Sequence, residues 1–161
     1  MLTPQETSDQ IEIAQVLNRY FRAIDTRDWA MLDSVFTTNA AVYYDTPGEI
    51  ETTYDELRQI LPLFTLTFRF TQHDVSQMLI HVDGDRAESG NNLRAIHVQE
   101  TLEGEQNTWV VYGAYRDQLR RTADGWRIVK RDFRGSHNEG ELLAPDRVKS
   151  FPAPPQHRES P

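Results

Sequence analysis

From residue 8 onward, apolar positions recur three and four residues apart. Ile13, Leu17, Tyr20 and Ile24 form one stripe, and Arg19 and Arg22 fall off it. That spacing predicts a helix over residues 8–26, capped by Thr7 or Ser8, with Asp9 and Glu12 near its positive end. Trp29, Leu32 and Phe36 predict a second, shorter helix over 28–36, ended by Thr37, Thr38 and Asn39. Residues 40–45 (AAVYYD) are short and β-prone, and Pro47-Gly48 turns the chain. Thr53 followed by Glu56 is a capping-box pattern that opens a third helix, limited by Pro62.

The period changes from about residue 65. HDVSQMLIHV (73–82) alternates and stops at Asp83-Gly84-Asp85, a tight-turn sequence. Residues 86–101 and 108–121 read as strands separated by a turn at Gly104, and Asp124-Gly125 leads into a last strand over 126–133. Helices followed by a meander of long strands predict one α+β domain, with N-terminal helices packed on a curved antiparallel sheet. Domain and tail divide at 1–140 and 141–161. The tail holds Pro145, Pro152, Pro154, Pro155 and Pro161, so it is expected to be either disordered or an arm laid over the body or a neighbouring subunit.

Composition narrows the functional classes. A chain of 161 residues suits a single domain with its own core. The formal net charge of -8, without a basic run, argues against nucleic acid as a partner. The chain has no cysteine, which removes disulfides, thiolate catalysis and cysteine-based metal sites and fits a cytoplasmic address. Nothing approaches the ~20 apolar residues of a membrane span, and the polar N-terminus lacks the form of a secretion signal. The five histidines lack zinc-site spacing, and HExxH, a phosphate loop and a nucleophile elbow are all absent. The expectation is no metal and no cofactor.

A scattered set of residues resembles the SnoaL-like group of the NTF2-like superfamily, a cone-shaped α+β barrel. The set begins with Tyr20, Asp25, Arg27-Asp28-Trp29, Leu32 and Val35-Phe36-Thr37. It continues through His73, Ile80, Val82-Asp83-Gly84-Asp85 and Ala87. Gly113, Tyr115, Asp117, Leu119 and Asp124-Gly125-Trp126-Arg127-Ile128 close it. The match covers roughly residues 8–134, and the order and spacing are specific for the fold rather than for the reaction. Similar proteins include dehydratases resembling scytalone dehydratase and bile-acid 7α-dehydratase, a dehydrochlorinase, polyketide cyclases and isomerases.

The resemblance implies a catalytic pair, Asp25 orienting His73 as general base or acid. A carboxylate on one ring nitrogen fixes the tautomer and leaves the other nitrogen for substrate. The bland alternative is a helix-end Asp and a satisfied core His. His97 is similar in strand position to a second pocket histidine, on a strand face with Ala87, Ser89, Asn91, Leu93 and Ala95; otherwise it is a surface or interface histidine. Tyr20 and Tyr44 resemble tyrosines that polarise a carbonyl or hold a water, or they are core aromatics. Arg131 would pair with a developing anion, or form an exposed ion pair beside Lys130 and Arg134.

The implied function is a cofactor-free lyase or isomerase, dehydratase- or cyclase-like, acting on a small cyclic or polyketide-like carbonyl substrate. The alternative is a non-catalytic small-molecule-binding or assembly module, favoured if Trp29, Phe64, Phe68 and Phe70 fill the cavity. A homo-oligomer, dimer or trimer, is expected because one sheet face needs covering.

Overall fold

The computed structural model describes residues 2–151. Helix α1 spans Pro4–Thr26 and begins a turn earlier than its apolar stripe suggests. Thr3 and Glu6 form a reciprocal capping box and Pro4 fills the first turn, so the caps, not the stripe, set the start. Its buried side includes Ile13, Val16, Leu17, Tyr20, Phe21 and Ile24. The helix ends at Arg27, whose φ of 55° is left-handed.

Helix α2 is only Trp29–Asp33, started by the Asp28 side chain. Phe36 and the Thr-Thr-Asn run do not end this helix. They begin strand β1, Phe36–Tyr44, because β-branched threonines fit an extended chain with a sheet neighbour. A strand absent from the sequence reading, β2 (Ile50–Thr53), pairs antiparallel with β1. The expected Thr53–Glu56 capping box opens helix α3, Tyr54–Thr65. Pro62 lies inside α3 rather than limiting it, and the helix runs on for three residues beyond it.

Four long strands follow: β3 (Phe70–Asp83), β4 (Arg86–Glu100), β5 (Gln106–Thr122) and β6 (Gly125–Glu139). The sheet order is β2-β1-β6-β5-β4-β3. All neighbours are antiparallel except β1 and β6, which run parallel. Gly84 and Gly125, both with positive φ, sit at the tight turns that the sequence marks.

Strand β3 departs from strict alternation. Gln77 takes a φ of 52° and the pairing register slips between Ser76 and Leu79. This bulge turns Gln77 and Leu79 outward and brings Met78, Ile80 and Val82 against the core. The alternation expected over 73–82 is therefore broken: His73 and Val75 share the partly buried face, and Gln77 and Leu79 leave it.

The helices cover the concave sheet face. Residues 141–151 lie against the body: Leu143 and Val148 are buried, and the Gln99 side chain accepts from Leu143 N–H and donates to Leu143 C=O. Phe151 N–H donates to Leu66 C=O. Pro152, Pro154, Pro155 and Pro161 lie outside the described residues. Among the described residues no helix is long and apolar enough to cross a membrane.

Candidate functional site

The concave side of the sheet and α3 enclose a cavity of about 490 Å³. Its floor comes from β4, β5 and β6, and its mouth from α3 and the loop Thr46–Ile50. Tyr20, Tyr44, His73 and His97 all line it. A more open depression on the outer sheet face, around His81, Arg86 and Arg120, contains none of them.

Asp25 stands in the last turn of α1, and β3 is an edge strand with outward backbone donors. The two elements meet through that carboxylate. Oδ2 accepts from the His73 backbone N–H at 3.0 Å, and Oδ1 accepts from Thr71 Oγ1 at 3.0 Å. Oδ1 also lies 2.6 Å from His73 Nδ1. With Nδ1 engaged, Nε2 is the ring nitrogen left for a ligand. The His73 ring is 7% exposed and lies 6.2 Å from Phe21, tilted 30°.

His97 sits two residue pairs further along the sheet: His73 pairs with Ala95 on β4, whereas His97 lies opposite Thr71 on β3 and Trp109 on β5. Its ring is 5.6 Å from that of His73, 4.7 Å from Trp109 and 4.9 Å from Phe68. Burial, reinforced by the neighbouring His73, pushes its pKa down to about 3, so it is neutral near neutral pH. Among the described residues its Nδ1 is buried without a hydrogen-bond partner. His97 is therefore a cavity residue, not a surface or interface histidine.

Tyr20 and Tyr44 come from α1 and β1, and their hydroxyls are 2.7 Å apart. Burial, with the Tyr20 hydroxyl beside it, holds the Tyr44 phenol well above its ordinary pKa. Tyr44 is therefore a protonated hydroxyl at physiological pH. Both tyrosines are core aromatics and cavity residues at once, since the core cluster and the wall share them.

Arg131 is placed differently from either reading of the sequence. It is fully buried, and its Nε and Nη2 each donate to the Asp117 carboxylate at 2.8 Å. Its guanidinium carbon lies 3.9 Å from the Tyr20 ring centre and 4.4 Å from that of Tyr115. The exposed ion pair is thus corrected to a buried one. The strand's register decides this: Arg131 shares the inward face with Phe133, and Lys130 and Arg134 point out. Arg131 does not line the cavity but lies one layer behind its tyrosines. Although burial opposes its charge, Asp117 holds its pKa well above the ordinary value.

Wall residues that the sequence reading did not assign to the site include Trp109, Tyr115 and Phe133 on β5 and β6, and Leu57, Ile60 and Leu61 on α3. The period-two alternation that puts Trp109, Val111 and Tyr115 on one face was the available signal; its inward sense required the third dimension.

Comparison with known proteins agrees with the fold. A family model described as a SnoaL-like domain matches residues 5–132. The uncharacterized protein Rv2910c of Mycobacterium tuberculosis is 35% identical over 133 residues, covering 81% of this chain and 88% of that protein. A structure from Novosphingobium aromaticivorans, provisionally described as a scytalone dehydratase, aligns with a TM-score of 0.75 at 20% identity, over 92% of this chain and 96% of that one. An NTF2-like superfamily protein from Salmonella enterica serovar Typhimurium aligns with a TM-score of 0.69 at 20% identity, over 81% and 93%. The chain belongs to the SnoaL-like domain family, built on the NTF2-like α+β fold.

Proposed function

We propose that the protein is a lyase or isomerase of the dehydratase or cyclase type, with His73 as its general base and no cofactor in the step. The substrate is a small cyclic or polyketide-like carbonyl compound with an acidic proton beside the carbonyl. His73 Nε2 takes that proton. Asp25, bound to Nδ1, holds the ring and stabilises the imidazolium that forms. The Tyr44–Tyr20 pair, with neutral His97, donates to the enolate-like oxygen or protonates a departing hydroxyl. Loss of the hydroxyl makes the reaction a dehydration; return of the proton to another carbon makes it an isomerisation or cyclisation.

The observation that carries this reading is the 2.6 Å contact between Asp25 and His73 on the wall of an open cavity. The rival, a non-catalytic binding or assembly module, expects that cavity to be filled by aromatics. Phe64 and Phe68 line it, but Trp29 lies under Arg58 and Phe70 is 48% exposed. The proposal includes a dimer or trimer in the cytoplasm, and a SnoaL-like domain over 1–140 with 141–161 as an arm.

The test is a screen of β-hydroxy ketones and enolisable cyclic ketones, following water loss or solvent-deuterium exchange at the α-carbon, with His73→Gln alongside wild type. Turnover that falls by roughly 10²–10⁴ in His73→Gln supports the reading. Turnover unaffected by the substitution, or no exchange with any substrate, sinks it.

A further inference from the structure

We infer that this cavity selects ligands by charge: it takes uncharged cyclic carbonyl compounds and rejects carboxylates and other anions of the same shape. The inference rests on reading the cavity as a small-molecule site and adds the property that decides which molecules enter.

The argument begins with where the cations are. Among the described residues, no lysine or arginine lines the cavity. Two arginines lie close behind its wall, and both are committed elsewhere. Arg131 is fully buried and gives two of its nitrogens to Asp117. Arg27 is 5% exposed, and its Nη2 donates to the backbone oxygens of Thr65 at 3.2 Å and Phe68 at 2.6 Å. Neither guanidinium lines the cavity, so neither is placed to contact a ligand there. A buried ion pair such as Arg131–Asp117 resists being split, since removing one partner strands the other in low dielectric.

The carboxylates at and behind the cavity wall have the wrong sign for an anion. Asp25 sits directly behind His73. Glu49 is the one formally charged side chain among the lining residues, at the exposed mouth. The histidine nearest the dyad, His97, is neutral near physiological pH because of its burial. An anionic ligand would lose its hydration and gain no counter-ion from the wall, so its burial is penalised.

The neutral donors supply what an uncharged ligand needs. Tyr44 and Tyr20 bring hydroxyls, and His97 brings an imidazole whose buried Nδ1 has no partner among the described residues. The remaining wall is apolar and aromatic, with Trp109 and Phe68 flanking His97. A flat, largely apolar ring with a carbonyl or hydroxyl at one end matches this division, and the volume is that of a small-molecule site.

The experiment compares 2-naphthamide, 2-acetylnaphthalene and 2-naphthoate at about pH 8 on the full wild-type chain. These probes share a ring system, and the amide and carboxylate differ chiefly in charge. Binding is read by quenching of Trp109 emission, with Trp109→Phe as the control for location, and by calorimetry, which needs no tryptophan. The amide and the ketone are expected to bind, with naphthoate at least about 30-fold weaker. Naphthoate binding within threefold of the amide, or no binding of any probe, overturns the inference. Repeating the series on His73→Gln separates this inference from the catalytic reading. Selectivity that persists there, with no turnover of any ketone by wild type, keeps charge selection and removes the catalysis.

Discussion

Asp117 accepts two hydrogen bonds from Arg131, each 2.8 Å long, and both side chains are fully excluded from solvent. The pair lies beneath Tyr20 and Tyr115, so it underlies the wall that carries the Tyr20–Tyr44 hydroxyls. Asp117→Asn removes the counter-charge and leaves the guanidinium buried. A loss of about 3–5 kcal/mol in unfolding free energy is expected from urea titration. Replacing both partners, as in Asp117→Leu with Arg131→Met, should cost less than either single change. A double variant worse than both singles would contradict this account of the pair.

Tyr44 and Tyr20 satisfy one another's hydroxyls. Tyr44→Phe therefore has two consequences of different size. Stability should fall by about 1 kcal/mol, the usual net value of one hydrogen bond. Turnover of an identified substrate should fall by at least about tenfold, because a donor to the developing oxyanion is lost. Turnover equal to wild type would remove this hydroxyl pair from the mechanism.

His97 has a pH signature. Its folded pKa of about 3 lies below the unfolded value of about 6.5, so the unfolded state binds the proton first as pH falls. Its contribution to stability is complete above about pH 7 and is lost progressively as pH drops from 6.5 towards 3. At about pH 5 the loss is on the order of 2 kcal/mol. Denaturation midpoints of wild type and His97→Gln, measured from about pH 8 to 5, should show a shallower acid decline in the variant. Parallel declines would contradict it.

Asp9 anchors the far end of α1. Its carboxylate accepts from Arg121 at 2.7 Å and from the Trp126 indole at 3.2 Å. These donors, Arg121 first, outweigh the burial that opposes them and hold its pKa at about 2. A depressed carboxylate pKa stabilises above the unfolded value of about 4, and that stability is lost as pH falls through 2. Arg121 is nearly a third exposed, so solvent screening limits the contribution to about 1–2 kcal/mol. Asp9→Asn should lower the thermal midpoint near neutral pH, with the gap to wild type closing below about pH 3.5. A constant gap would show that packing, not charge, is responsible.

Much of the fold was legible because local signals agreed with one another. The α1 stripe, the Thr53–Glu56 box and the glycine turns at 84 and 125 each carry their own mechanism. Misreadings fall where long-range pairing overrides local pattern. Phe36 fits a helical stripe, yet its partner is Ile128, ninety-two residues away, on β6. The Gln77 bulge has no signature in residue type, since glutamine rarely adopts positive φ. Asp25 and His73 are forty-eight residues apart, and only the family resemblance joined them in the sequence. Arg131 looked exposed because its neighbours are cationic, and strand alternation alone, without a known inward face, could not seat it against Asp117.

The measurement that tests the central claim most directly is the tautomer state of His73, read from its ¹⁵N ring shifts in wild type and in Asp25→Asn. Asp25 Oδ1 at 2.6 Å from Nδ1 requires the neutral ring to carry its proton there, leaving Nε2 bare as the base. Wild type is expected to hold that single tautomer at about pH 8, and Asp25→Asn to convert it into a mixture. A mixture already present in wild type, unchanged by the substitution, would contradict the account.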